Sequence, residues 1–211
     1  FYNRGVLVDK AVHTVSKALM EAIVLVLVLL VLFLGDLRAA LTVALILPLA
    51  ALATFILMKQ FGLSANLMSL GGLAIAIGML VDAAVVVVEN VVTQLAARPE
   101  GGGRIPRLHL IYRATREVSV PVASGILIIV IVFLPLLTLE GLEGKLFGPV
   151  ALTIVFALLS SLLLSLTVIP VLASFLLGKG GHGDPWLVRL IVRVYVPSLQ
   201  WGLRHEGLVV A

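Results

Sequence analysis

Five long apolar stretches constrain the fold of this 211-residue chain more than any other feature. A helix needs about 20 apolar residues to cross the hydrocarbon core of a bilayer, which is about 30 Å thick. The stretches are rich in Leu, Val, Ile and Ala, and they lack the alternation typical of membrane β-strands. The sequence therefore predicts an all-α membrane protein, a polytopic transmembrane helix bundle. The five predicted spans are Ala18–Leu34, Ala39–Met58, Leu67–Val88, Val118–Leu139 and Leu146–Leu177.

The overall composition excludes several other classes of protein. Hydrophobic residues make up 61% and charged residues 12%, whereas a soluble domain carries roughly 45–50% and about 25%. The absence of cysteine excludes disulfides and zinc–thiolate sites. No phosphate-binding loop with a following Lys-Ser/Thr is present, so we expect neither an enzyme nor a cofactor. The small basic excess has no cluster interleaved with aromatics, so we expect no nucleic-acid partner.

The remaining residues divide into segments on either side of the spans. Residues 1–17 are predicted to lead into the first span from a part that precedes this chain, and 18–177 carry the five spans. Residues 178–206 form a linker in which Trp186–Val196 is predicted to be an in-plane amphipathic helix. Residues 207–211 are predicted to begin a further span. Ile105–Arg116 mixes apolar residues with Arg at helical spacing, and we expect it to lie on the membrane surface.

The positive charges indicate how the spans are oriented. Residues 1–17, 59–66 and 140–145 share one side of the membrane and carry five Lys or Arg. The other side carries ten, and because Lys and Arg are enriched in cytoplasmic loops, that side is predicted to be cytoplasmic.

Asp82 is the strongest candidate for a functional residue. It lies inside the third span with apolar neighbours on both sides, and an ionisable residue in a span persists where it is paired or useful. Desolvation raises the pKa of a carboxyl and a nearby cation lowers it, so a carboxyl balanced between them can load and unload a proton. Asp82 is thus a predicted proton relay. The alternative is a hydrated carboxylate near the membrane edge.

Helical geometry places Asp82 on a stripe with Met68, Ile75 and Glu89, at intervals of seven residues. Gly71 and Gly78 fall close to this stripe. Because small residues allow close approach of a second helix, the stripe is predicted to pack against another helix. None of the five spans has an interior Lys or Arg, so we expect the cationic partner of Asp82 to lie outside this chain.

Four further residues on the same helix are weaker candidates. Glu89 and Asn90 lie at its predicted cytoplasmic rim, where a supporting role in transport competes with a purely structural one. Met68 and Met79 offer thioethers, which are ligands suited to soft cations such as Cu(I). The alternative for both is that they fill gaps in packing.

Four segments resemble a known transporter family in sequence and in order. Gly62–Asn90 is similar to the fourth transmembrane helix of resistance–nodulation–division (RND) exporters, especially their heavy-metal branch. The other three are Phe33–Ala40, Phe133–Phe147 and Pro170–Ser174, which resemble the turn between helices two and three, the loop between helices five and six and the end of helix six.

The resemblance implies part of the membrane domain of a proton-driven antiporter, covering helices two to six. Its full-length form would be a homotrimer in the bacterial inner membrane, with a periplasmic adaptor and an outer-membrane channel as partners. The substrates would be protons and metal cations. Residues 1–17 would then enter from the periplasmic porter region.

Two departures bear on the substrate. Drug exporters of the family carry two adjacent aspartates in this helix, whereas Ala83 follows Asp82 here, which favours the metal branch. The chain has only four Met, so Cu and Ag remain open against Zn, Co, Ni and Cd. A drug or amphiphile exporter, and a lipid-handling or structural bundle without proton coupling, are the alternatives.

Overall fold

Five long helices and one short 3-10 helix make up the computed structural model, which describes residues 4–97 and 106–177 and a few positions between 192 and 199. Each of the five is long and apolar enough to cross a membrane. This confirms the predicted all-α helix bundle. The elements are α1 (Arg4–Leu34), α2 (Leu37–Gln60), α3 (Leu67–Ala96), α4 (Arg107–Phe133), the 3-10 helix Leu134–Thr138, and α5 (Gly141–Leu176).

Local sequence signals set the turns between the first three helices. Gly35 and Gly62 adopt positive φ values of 66° and 70°, which glycine reaches without a steric cost. The Asp36 side chain accepts a hydrogen bond from the Arg38 amide at 2.8 Å and caps α2. Asn66 and Ser69 form a reciprocal capping box at the start of α3, with both bonds at 2.9 Å. These caps satisfy amides that have no partner within the helix.

The helices extend beyond several predicted boundaries. α1 begins at Arg4 instead of Ala18, and α3 continues past Val88 to Ala96. Arg107–Arg116, the described part of the stretch expected on the membrane surface, forms the first portion of α4 and is continuous with the following span, while its position relative to the membrane stays a prediction. Burial of Ile111 and Ala114 in the core explains this continuity.

Some predictions fall on residues outside the described part of the chain. These are most of the in-plane helix over Trp186–Val196, most of the 178–206 linker and the start of a further span at 207–211; the few described positions between 192 and 199 are helical.

α3 occupies the centre of the bundle and contacts all four other long helices. Its inner face is fully buried and carries Leu, Val and Ala residues, of which the small alanines allow close approach of neighbouring helices. The most buried of them are Leu73, Ala76, Leu80, Ala84, Val87, Val88 and Val91.

Candidate proton relay on helix α3

Asp82 lies near the midpoint of α3, about 22 Å along the axis from Leu67. Its side chain is exposed in the described part of the chain. Leu80 and Ala84, by contrast, are completely buried on the other side of the helix. α3 is therefore packed against the bundle through one face. Asp82 lies on the opposite face, which the described residues leave uncovered.

The predicted stripe is open along its whole length. Met68 and Ile75 are 38% and 58% exposed, and Glu89 is exposed as well. A Cβ added at Gly71 or Gly78 would have no atom within 4 Å. Nothing in residues 4–97 and 106–177 covers this stripe, so the second helix and the cation that we predict against it stay predictions.

α3 is instead held by contacts with α5, and none of the residues predicted to form the site takes part in them. A Cβ added at Gly72 would lie 2.8 Å from the carbonyl oxygen of Val150, so the two backbones touch at this point. The Ser161 hydroxyl, itself buried, donates to the carbonyl of Leu80 at 2.7 Å. That carbonyl lies two residues before Asp82. The pair Ser160-Ser161 in a long apolar run is a sequence signal for such an interhelical bond.

Asn90 and Gln94 connect the far end of α3 to α4. The Asn90 amide nitrogen donates to the carbonyl of Ala114 at 2.8 Å, and the Gln94 amide donates to the carboxylate of Glu117. Asn90 is thus a helix-connecting residue, whereas Glu89 beside it points away from these contacts and is exposed.

The two methionines do not form a shared site. Met68 and Met79 are separated by about 16 Å along the helix axis, far beyond the span of one coordination sphere. Met79 is half-buried against the core, while Met68 is exposed near the start of α3. The described residues contain no cluster of three or more His, Asp or Glu able to hold a metal ion. A metal role for either methionine stays a prediction.

Charge is sparse around the relay. Within the described residues, Lys17 and Glu21 form an ion pair at 3.7 Å, one turn apart, and both side chains are exposed on α1. Among the described residues no cation forms an ion pair with Asp82, and the location of its cationic partner stays a prediction.

Comparison with known proteins identifies the chain. All 211 residues match the AcrB/AcrD/AcrF family. The cobalt-zinc-cadmium resistance protein CzcA of Cupriavidus metallidurans is 45% identical over 99% of the chain, and the cation efflux system protein CusA of Escherichia coli K12 is 40% identical over 94%. The chain covers 20% of each relative's length.

A solved structure agrees with the sequence relatives. The crystal structure of a heavy metal efflux pump superposes with a TM-score of 0.66 and 40% identity, covering 83% of this chain and 17% of that one. The chain is thus part of a multi-pass membrane protein of the RND class. It belongs to the AcrB/AcrD/AcrF family, and its relatives are the heavy-metal pumps of that family, which confirms the resemblance inferred from the sequence.

Proposed function

We propose that the full-length protein is a proton-driven antiporter that exports heavy-metal cations across the bacterial inner membrane. The observation that carries this proposal is the single carboxylate of Asp82, placed at the middle of the central helix on the face left open by the other four. The names of the relatives, which refer to cobalt, zinc, cadmium and other cations, support the substrate class.

Asp82 would exchange its proton between the two sides of the membrane while α3 changes its packing. Protonation removes the negative charge, and with it the attraction to the cation that we expect from the rest of the protein. Each proton that moves down a potential of 100 mV releases about 2.3 kcal/mol. The buried contacts at Gly72 and Ser161 hold α3 against α5, so α3 and α5 would move together.

The cellular setting follows from the same family. We infer an inner-membrane homotrimer that works with a periplasmic adaptor and an outer-membrane channel. The orientation suggested by the Lys and Arg count puts the loop between α3 and α4 in the cytoplasm.

Replacement of Asp82 by Asn tests the relay. The change keeps size and hydrogen-bonding capacity but removes the titratable group. In inside-out vesicles that carry the full-length protein, we expect proton-driven metal uptake to be lost at unchanged protein level. Glu21→Gln is the matched control, because Glu21 is exposed on α1 and pairs locally with Lys17, and uptake should persist. Near-normal uptake by Asp82→Asn would refute the proton relay at Asp82, because proton-driven transport would then run without its carboxyl group.

A second experiment separates metals from drugs as substrates. Expression of the full-length protein in a sensitised host should raise tolerance to a transition metal, and tolerance to dyes and detergents should hardly change. The converse result would move the assignment to a drug or amphiphile exporter. Comparison of copper and silver with zinc, cobalt, nickel and cadmium would then identify the ion.

A further inference from the structure

A groove of about 390 Å³ lies between the first half of α4 and the last third of α5, and no residue of α3 lines it. The two helices run antiparallel along it. Arg107 at the start of α4 bonds the carbonyls of Ala173 and Leu177 at the end of α5. The groove therefore begins at the loop-side ends of both helices and continues towards the membrane interior.

One wall of the groove is polar and positively charged. Tyr112, Arg116 and Ser119 line it from α4, and Ser174 lines it from α5. The hydroxyls of Ser119 and Ser174 each donate to a backbone carbonyl of their own helix, so their oxygens remain able to accept. The carboxylate next to Arg116 is that of Glu117, which accepts a hydrogen bond from Gln94 on α3. Within the described residues, no ion pair joins Arg116 to this carboxylate.

The rest of the lining is apolar. Leu166 and Val171 of α5 face Ile111 of α4 across the groove. Pro170, also in the lining, has no amide hydrogen, and so the carbonyl of Leu166 lacks its usual helical partner. The groove therefore combines an apolar surface with the guanidinium of Arg116, the hydroxyls of its polar wall and the carbonyl of Leu166.

We propose that this groove binds an anionic phospholipid of the surrounding leaflet. A phosphate accepts charge-assisted hydrogen bonds from a guanidinium, and the apolar lining suits the upper part of an acyl chain. The volume accommodates a headgroup and glycerol region, within the range of small-molecule sites. Arg116 lies two residues before the predicted membrane boundary at Val118, at the level of lipid phosphates. Basic pockets between transmembrane helices are a recognised way to hold acidic lipids.

The charge distribution favours a lipid over an apolar segment of protein. Arg116 places a cation in the groove lining itself, and an arginine near a membrane surface attracts anionic lipid. This binding is separate from antiport, since the groove contains no residue assigned to the proton relay.

The test uses the full-length protein in nanodiscs that contain a photoactivatable phosphatidylglycerol. Cross-linked peptides from α4 and α5 are quantified after illumination. We expect Arg116→Gln to reduce cross-linking at the groove about fivefold, the factor for losing one arginine at the lipid surface. Arg113→Gln removes the same charge from an exposed position outside the groove lining and should change it little.

A second pair of variants tests the apolar part. Val171→Trp fills the groove from a position that is 55% exposed and should block cross-linking there without any change of charge. Val120→Trp, at a position that is 74% exposed and outside the lining, is its control.

Three results would overturn the proposal. One is equal cross-linking by a phosphatidylethanolamine probe, which would show a general lipid contact. Another is displacement by millimolar inorganic phosphate, which would show a site for free anions. The third is absence of groove cross-links in the wild-type protein, which would show that residues 178–206 or another part of the protein fill it.

Discussion

Replacing Gly72 by Ala adds one methyl group at the closest contact between α3 and α5. The new Cβ would lie 2.8 Å from the oxygen and 3.0 Å from the Cα of Val150. Both are backbone atoms, so no side chain can rotate away and the helices have to separate. Overpacking of this kind costs about 1–3 kcal/mol. Alanine also favours the helical state of α3 by about 1 kcal/mol relative to glycine. This gain offsets part of the packing cost in α3, whereas α5 bears the packing cost without any gain.

The appropriate assay is hydrogen exchange of the full-length protein in nanodiscs, because it reports local opening without global unfolding. Amides of α5 around Val150 receive the whole packing penalty and none of the propensity gain. A cost of about 1–3 kcal/mol predicts exchange that is roughly 5- to 150-fold faster in this segment. Shortening the obstructing residue in the double variant Gly72→Ala, Val150→Ala should give no rescue, since the clash involves the Val150 backbone.

Gly125→Ala on α4 is the matched control for this effect. Its added methyl would have no atom within 4 Å, so it gains helix propensity without a clash and α5 should exchange as in the wild type. Unchanged exchange in the Gly72→Ala protein would refute the close backbone approach of α3 and α5, and with it the inference that these helices move as one body.

Three further results are expected. Ser161→Ala removes the bond to the Leu80 carbonyl and should destabilise the α3–α5 contact by about 0.6 kcal/mol, the average for interhelical bonds in membranes, measured as faster local exchange. Gly78→Leu should abolish metal uptake, because the predicted second helix packs on this face; full activity would show that lipid lies there instead. In intact cells a membrane-impermeant thiol reagent should label Ser64→Cys and spare Ala97→Cys, and the converse would reverse the orientation.

The number and type of the helices could be predicted from the sequence because apolar length decides them. The first three predicted spans each lie within one observed helix, the fifth ends one residue past α5, and the end of the fourth contains a 3-10 helix beginning at Leu134. Pro135 lies in its first turn. The helix ends were harder to predict, since polar extensions are stabilised by tertiary contacts. Arg107–Arg116 is held in α4 by burial of Ile111 and by the Asn90 bond to Ala114.

The candidate site could be predicted only in part. Asp82 stands out because a lone acid in an apolar span has few innocuous explanations. The residues that hold α3 in place did not stand out in the same way. Gly72 and its neighbour Gly71 differ by 100° on the helix, and only packing shows that the first touches Val150 while the second faces open space. The partners of the Asp82 face are not among the described residues, so packing within them could not reveal what it contacts.

The length of α5 limits how it can lie in a bilayer. From Leu146 to Leu177, one residue past the end of α5, the chain carries no charged residue, an uncharged length of about 48 Å. Helix tilts reach about 40°, at which a 30 Å core takes up roughly 39 Å of helix. About six uncharged residues therefore remain outside the hydrocarbon. Arg107 fixes the end of α5 beside the charged part of α4, so the surplus emerges there, where Phe175 is 81% exposed. Hydrophobic mismatch therefore places the apolar surplus of α5 at the level of the lipid headgroups, where tilt, a kink or local bilayer thickening has to accommodate it.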